Sequence, residues 1–171
     1  PEMAGWIVSL KDNLNGKDHK IFTKMIVNAA GAWVNDVLDK VDIGEVFHNI
    51  RWIKGSHIIV KQLYMGDHGY VLKLDKGREV FVMPYESGYT LIGATDIDYV
   101  GDINKVKADS FEIEYLCDVV NSYFNKEITP ADVEWTYSAV RPILDDKGEG
   151  VAKIASDYVV EANDYQGGKI I

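Results

Sequence analysis

The stretch Tyr70–Gly93, YVLKLDKGREVFVMPYESGYTLIG, holds three apolar runs, Tyr70 to Leu74, Glu79 to Met83 and Tyr89 to Gly93. They are joined by Asp75-Lys76-Gly77-Arg78 and by Glu86-Ser87-Gly88. Connections this short, built from residues that tolerate a reversed backbone, join antiparallel neighbours. The stretch predicts a three-stranded meander. Upstream, Trp52 to Val60 reads as another strand, interrupted at Gly55 as a bulge would interrupt it. Downstream, a helix is expected from Ser110 to about Asn125, with Asp109 as its cap and Glu112 reaching back to it. Phe111, Tyr115, Val119 and Tyr123 form one stripe of that helix, and Ile113, Leu116, Val120 and Phe124 lie beside it. Such a helix covers a sheet.

The flanks are also strand-rich. Trp6 to Leu10 and Phe22 to Asn28 read as a hairpin around the turn residues Asp12 to Lys17. The second run passes into Gly31, after which Trp33, Val34, Val37 and Leu38 fall at helical spacing. Thr129-Pro130-Ala131-Asp132 reads as a capped single turn with proline at the first helical position. Val133, Trp135, Tyr137 and Ala139 then alternate with Glu134, Thr136 and Ser138, a strand that Pro142 is expected to end. Asp145 to Gly150 reads as a solvated loop and Asp157 to Ala162 as a last strand. Asn163 to Gly168 reads as a hairpin turn, leaving Lys169 a solvated turn residue before a strand that starts at Ile170. The fold class is α+β, an antiparallel or mixed sheet covered by one main helix.

Composition narrows the function classes. At 171 residues, 47% hydrophobic and 26% charged, the chain is a globular, ordered one. A chain of this size buries about two thirds of its unfolded surface. A net charge of −9 with scattered Lys and Arg argues against a nucleic-acid partner, which needs a clustered basic patch. No apolar run approaches the ~18 residues of a membrane span, and no signal peptide is evident, so solubility is expected. One cysteine, Cys117, leaves no internal disulfide and no thiolate set for zinc. His19, His48 and His68 have no metal-ligand spacing, and no metal site is expected.

Four separated strand-end motifs carry a family resemblance: NAAGAWV (Asn28 to Val34), KGSH (Lys54 to His57), LIGATD (Leu91 to Asp96) and SAVRP (Ser138 to Pro142), with YVGD (Tyr99 to Asp102) after the third. In this order and spacing, from about Gly5 to Tyr158, the chain resembles the second half of the FAD-dependent, quinone-linked glycerol-3-phosphate dehydrogenases. The family's amino-terminal glycine fingerprint and its phenylalanine-glycine-glycine-lysine-threonine segment have no counterpart here, so the chain is expected to be a piece of a longer enzyme. The resemblance implies oxidation of glycerol 3-phosphate to dihydroxyacetone phosphate, with FAD held by the full-length enzyme and not by this piece alone. It also implies quinone as electron acceptor and a cytoplasmic enzyme, peripheral on the cytoplasmic membrane face, with a dimer among the oligomeric states left open. By the same resemblance residues 1–45 belong to the FAD-binding domain, 46–135 form the substrate-binding (cap) sheet with its covering helix, and 136–171 return toward the FAD domain. An oxidase passing electrons to oxygen and a non-catalytic small-molecule-binding domain are the competing readings.

Within that frame the motifs acquire roles. Ala29, Ala30 and Gly31 are small enough for close approach of a flat ligand, and the resemblance implies that they lie against FAD. The helix after Gly31 offers free amide hydrogens. KGSH places Lys54 and His57 three residues apart, so a strand bulged at Gly55 would aim both at one pocket. His57 is the candidate base or substrate-orienting group. Thr95 is a candidate contact for a phosphate or hydroxyl, whereas Asp96 better suits orienting a neighbouring cation. Arg141, expected to be buried, offers a guanidinium fork that matches a phosphate dianion. Each of these residues also has an ordinary structural reading: a tight turn, a satisfied strand histidine, a lysine reaching water, a salt bridge.

Overall fold

The computed structural model describes residues 4–41, 49–144, 159–165 and 168–171. Its strands are β1 (Trp6–Lys11), β2 (Asp18–Thr23), β3 (Met25–Ile26), β4 (Ile50–Lys61), β5 (Tyr70–Lys73), β6 (Glu79–Tyr85), β7 (Tyr89–Gly93), β8 (Ile97–Asp98), β9 (Val133–Leu144), β10 (Asn163–Tyr165) and β11 (Gly168–Ile170). Its α-helices are α1 (Val34–Leu38) and α2 (Ser110–Asn121). The chain divides into two compact units, residues 1–48 with 155–171, and residues 49–154.

In the first unit β1 and β2 pair from Trp6↔Thr23 to Lys11↔Asp18. The loop between them closes through the Asp12 amide donating to Lys17 O at 2.8 Å, and Asp12 Oδ1 accepts from the Leu14 amide at 2.8 Å. The expected hairpin therefore forms, but its second strand starts earlier, at Asp18, and ends at Thr23. Thr23 Oγ1 donates to Met25 O at 2.9 Å and turns the chain into a separate strand, β3. That strand pairs in parallel with β11, which pairs antiparallel with β10. The hairpin expected near Gly168 is thus β10–β11, and Lys169 is an exposed strand residue, not a turn residue. Residues 159–162 are not strand, and the first two residues of the expected strand Asp157–Ala162 lie outside the described residues, as does the loop expected at Asp145–Gly150.

The second unit is one antiparallel sheet in the order β5-β6-β7-β4, with β8 beside β4 on the β7 side and β9 on the other. The meander appears as β5-β6-β7, in register Tyr70↔Val82 and Val82↔Ile92. One face carries Ile58, Val60, Leu72, Val80, Val82 and Ile92, and α2 covers it with Leu116, Val119 and Val120. Burying each of these side chains is worth about 1.5–3 kcal/mol, so this layer is where most of the unit's stability lies. Asp109 caps α2 in a complete capping box: its carboxylate accepts from the Glu112 amide at 3.0 Å, and Glu112 Oε2 accepts from the Asp109 amide at 3.1 Å. Thr129 and Asp132 form the expected capping box over a single 3-10 turn, Pro130–Asp132.

Three expectations are corrected in this unit. Gly55 is not bulged; it pairs with Ala139 in unbroken register, and the irregularity of the β4–β9 pair lies at Ile59/Val60. The bulge beside Gly55 belongs to the facing strand: between the pairs His57↔Gly93 and Lys54↔Ile97, Gly55 and Ser56 are met by Ala94, Thr95 and Asp96. Pro142 does not end β9, which runs on to Leu144; among the described residues β9 pairs with β4 alone, and an edge strand tolerates a residue without an amide hydrogen. On α2 the buried stripe is Glu112, Leu116, Val119 and Val120, while Phe111 stands 69% exposed.

Candidate functional site

Side chains alternate along a strand, so residues three apart point to opposite faces. On the regular strand β4 this separates the two ends of KGSH. Lys54 and Ser56 turn toward α2, and His57 turns to the open face.

The α2 side is a closed polar network. Glu112 has 0% exposure, and its Oε1 accepts from Ser56 Oγ at 2.8 Å and from Thr95 Oγ1 at 2.7 Å. Its Oε2 takes Lys54 Nζ at 2.7 Å, and Asp109 Oδ2 lies 3.2 Å from the same ammonium. Thr95 Oγ1 also accepts from the Ser56 amide at 2.8 Å, and Ser56 Oγ shares a hydrogen bond with Ser138 Oγ at 2.7 Å. Burial works to lower the pKa of Lys54, but hydrogen bonds and charge from Glu112 and Asp109 override it and hold the ammonium above its ordinary 10.5. Lys54 therefore does not reach water, and the Thr95 hydroxyl is occupied inside the protein. A cleft of about 690 Å³ opens on this side of the sheet, lined by Arg78, Thr95, Asp96, Phe111, Glu112 and Tyr115 among others. Its carboxylates make it a poor seat for a phosphate, and it lies on the opposite side of the sheet from His57.

The open face is of another character. His57 stacks on Tyr137, its cross-strand partner, with ring centroids 4.6 Å apart and planes 6° from parallel. Its Nδ1 is buried without a hydrogen-bond partner. Burial lowers the imidazole below its ordinary 6.5, which leaves it neutral at pH 7. Gly93 lies under the ring, where a Cβ would come within 2.3 Å of Cδ2. Four register pairs along, on the same face, Arg141 stands opposite Ile53 and keeps Asp96 at 3.8 Å as a loose ion pair. Its side chain is 56% exposed, a correction to the buried arginine expected from sequence. Asp96 orients a cation, as its place after Thr95 suggested.

Between the His57/Tyr137 pair and Arg141 the floor is small. Gly55 pairs with Ala139, and a Cβ on Gly55 would meet Ala94 Cβ at 3.5 Å. A strip of small residues, Gly55, Ala139 and Ala94, thus lies between the His57 imidazole and the Arg141 guanidinium on this face. Trp135, Phe81 and Met83 extend the same face as exposed apolar surface. Contiguous exposed apolar area of this kind marks a place where something binds.

In the first unit, NAAG follows β3. Asn28 ties the turn, with Oδ1 accepting from the Ala30 amide at 3.4 Å and Nδ2 donating to Val34 O at 2.9 Å. Gly31 holds φ +56, where glycine is favoured, and a Cβ there would meet nothing within 4 Å. Ala29 is exposed. Open space beside a small-residue turn fits a flat ligand. The helical amides do not add to it: Gly31–Trp33 is one 3-10 turn and α1 only five residues, too short to act as an anion-binding helix end.

The residue sequence reasoning passed over is Glu112. Its place in the capping box accounts for it locally, yet Glu112, Leu116 and Val120 stand four apart on one face, which marks the carboxylate as inward.

The family described as DAO, FAD dependent oxidoreductase, matches residues 2–168, and the chain belongs to that family. Among curated relatives, it is 37% identical over 170 residues to the D-erythritol 1-phosphate dehydrogenase of Brucella abortus (strain 2308), covering 99% of this chain and 34% of that protein. It is 38% identical over 162 residues to the aerobic glycerol-3-phosphate dehydrogenase of Escherichia coli (strain K12), covering 95% of this chain and 32% of that protein. Among solved structures, the glycerol-3-phosphate dehydrogenase of Bacillus halodurans complexed with FAD superposes with a TM-score of 0.74 at 27% identity, over 100% of this chain and 32% of that one. The chain spans about a third of the length of the curated relatives it matches.

Proposed function

We propose that this chain is the substrate-binding part, with a portion of the flavin-binding part, of an enzyme that oxidises sn-glycerol 3-phosphate to dihydroxyacetone phosphate. The observation that carries the reading is the open face of β4 and β9, where a neutral, unpartnered imidazole and an exposed guanidinium flank a small-residue strip. Oxidising a secondary alcohol removes a proton from its hydroxyl and a hydride from its carbon. His57 accepts the hydroxyl proton, for which a neutral ring is required. Arg141 takes the phosphate with its fork, exchanging the loose Asp96 contact for a charge-assisted one. Trp135, Tyr137 and Phe81 exclude water around the strip. Ala29, Ala30 and Gly31 would hold the FAD, which when bound supplies the hydride acceptor. Lys54 and Thr95 act behind the sheet and support this face without touching substrate.

The assignment of residues 46–135 to the substrate-binding (cap) domain, and of 1–45 and 136–171 to the FAD side, belongs to this proposal. So do transfer of the electrons to quinone and placement of the whole enzyme on the cytoplasmic membrane face. The likeness to a D-erythritol 1-phosphate dehydrogenase supports a second substrate, a four-carbon polyol phosphate at the same strip. The full-length holoprotein should be mixed anaerobically with each polyol phosphate while flavin absorbance is followed. Bleaching by glycerol 3-phosphate is the expected result, faster bleaching by D-erythritol 1-phosphate would reassign the substrate, and no bleaching by either would sink the reading. Reoxidation by a quinone analogue rather than by oxygen tests the acceptor.

A further inference from the structure

Each residue in the polar network behind the sheet adjoins in sequence a residue of the open face. Ser56 precedes His57, Thr95 precedes Asp96, Ser138 lies between Tyr137 and Ala139, and Lys54 precedes Gly55. All converge on one carboxylate. Glu112 Oε1 holds Ser56 and Thr95 together, Ser56 carries the link to Ser138 on β9, and Oε2 holds Lys54 and the N-terminus of α2. The facing bulge Ala94–Asp96 has no ladder register opposite Gly55 and Ser56; it is tied to β4 by the Thr95 amide donating to Ser56 O at 3.1 Å and by Thr95 Oγ1 accepting from the Ser56 amide at 2.8 Å, and Glu112 fixes that hydroxyl. That bulge delivers Asp96 to Arg141 and follows directly on Gly93 under His57.

We propose that Glu112 is a positioning residue for the reaction, fixing from behind the sheet the spacing between His57 and Arg141 on its open face; the proposal rests on the polyol-phosphate reading above. A purely structural ion pair can be exchanged for apolar side chains with little loss, because the desolvation penalty disappears with the charges. Here the exchange also takes the acceptor from Ser56, Thr95 and the Asp109 amide, which costs stability in either role. The roles are therefore separated by kinetics and not by melting.

The test uses the full-length holoprotein, with wild type, the double variant Lys54→Met/Glu112→Leu, and Ser138→Ala, which removes only the link to β9. Melting temperature, flavin content, kcat, KM and the pH profile of kcat/KM are measured for glycerol 3-phosphate and D-erythritol 1-phosphate. The double variant should keep its flavin, yet lose about tenfold or more in kcat/KM on the better substrate and shift the acid limb of the profile. Ser138→Ala should leave melting unchanged and lower kcat/KM by about threefold or more. Wild-type kcat/KM and pH profile in Ser138→Ala, and in the double variant if it folds, would make the network structural only and overturn the proposal. A wild type that turns over neither substrate removes the functional reading, and this proposal falls with it.

Discussion

Gly93 and His57 are directly opposed across β7 and β4, and the imidazole occupies the place a side chain at 93 would need. A Cβ on Gly93 would stand 2.3 Å from Cδ2 and 2.6 Å from Cγ, and the ring has no free retreat because Tyr137 stacks on it. Gly93→Ala should displace the imidazole, cost about 1–3 kcal/mol through overpacking and lower kcat/KM about tenfold or more. Thermal melts with steady-state kinetics check both; unchanged kinetics would show that the ring position is not used.

The lowered pKa of His57 has a sign that can be tested. Between the folded value and the unfolded 6.5 the unfolded chain binds more protons, so stability rises with pH across that window. The contribution of the neutral ring is complete above 6.5 and is lost as pH falls through the folded value. His57→Gln should flatten that segment in melts between about pH 5 and 8. It should also remove the acid limb from kcat/KM in the full-length protein, and a limb that persists would assign it to another group.

Arg141→Lys keeps the charge and removes the fork. The expected loss is about 1–3 kcal/mol of transition-state binding for glycerol 3-phosphate and much less for glycerol itself. Steady-state kinetics on both substrates measure the difference, and equal losses would make the Asp96 contact the purpose of the arginine.

Cys117 is buried in the α2 layer, and burial, reinforced by Asp118, Asp132 and Glu114, pushes its thiol up to about 11. Iodoacetamide at about pH 8 should alkylate the native chain at least ~100-fold more slowly than the denatured chain, as mass spectrometry reads it. Fast native labelling would mean that the α2 layer opens.

Much of the fold was legible because its signals are local. Asp109 and Glu112 are three residues apart, so the capping box was readable and α2 starts as expected. Asp12 to Lys17, and the turns at Gly77 and Gly88, are complete within a few residues, and the hairpin and meander followed. The site was legible only in part. His57 and Arg141 do lie on one face, but the sequence reading joins Lys54 to His57 through a bulge assigned to the wrong strand, and takes Thr95 as a contact from its place at a strand end. Glycine at 55 reads as the cause of an irregularity that belongs to Ala94–Asp96, directly opposite it on the facing strand and about forty residues away along the chain.

By itself the sequence determined the elements, their caps and turns, and the motif order that marks the family, since each depends on neighbours along the chain. The alternation of β4 and β9 also divides their side chains into two sets. Which set α2 covers is decided by the packing of a helix some fifty residues from β4, and that packing buries Glu112 among Lys54, Ser56 and Thr95. Strand periodicity defines two faces and is silent on which one meets a helix; only the tertiary structure places Lys54 and Thr95 inside and leaves His57 and Arg141 on the open side.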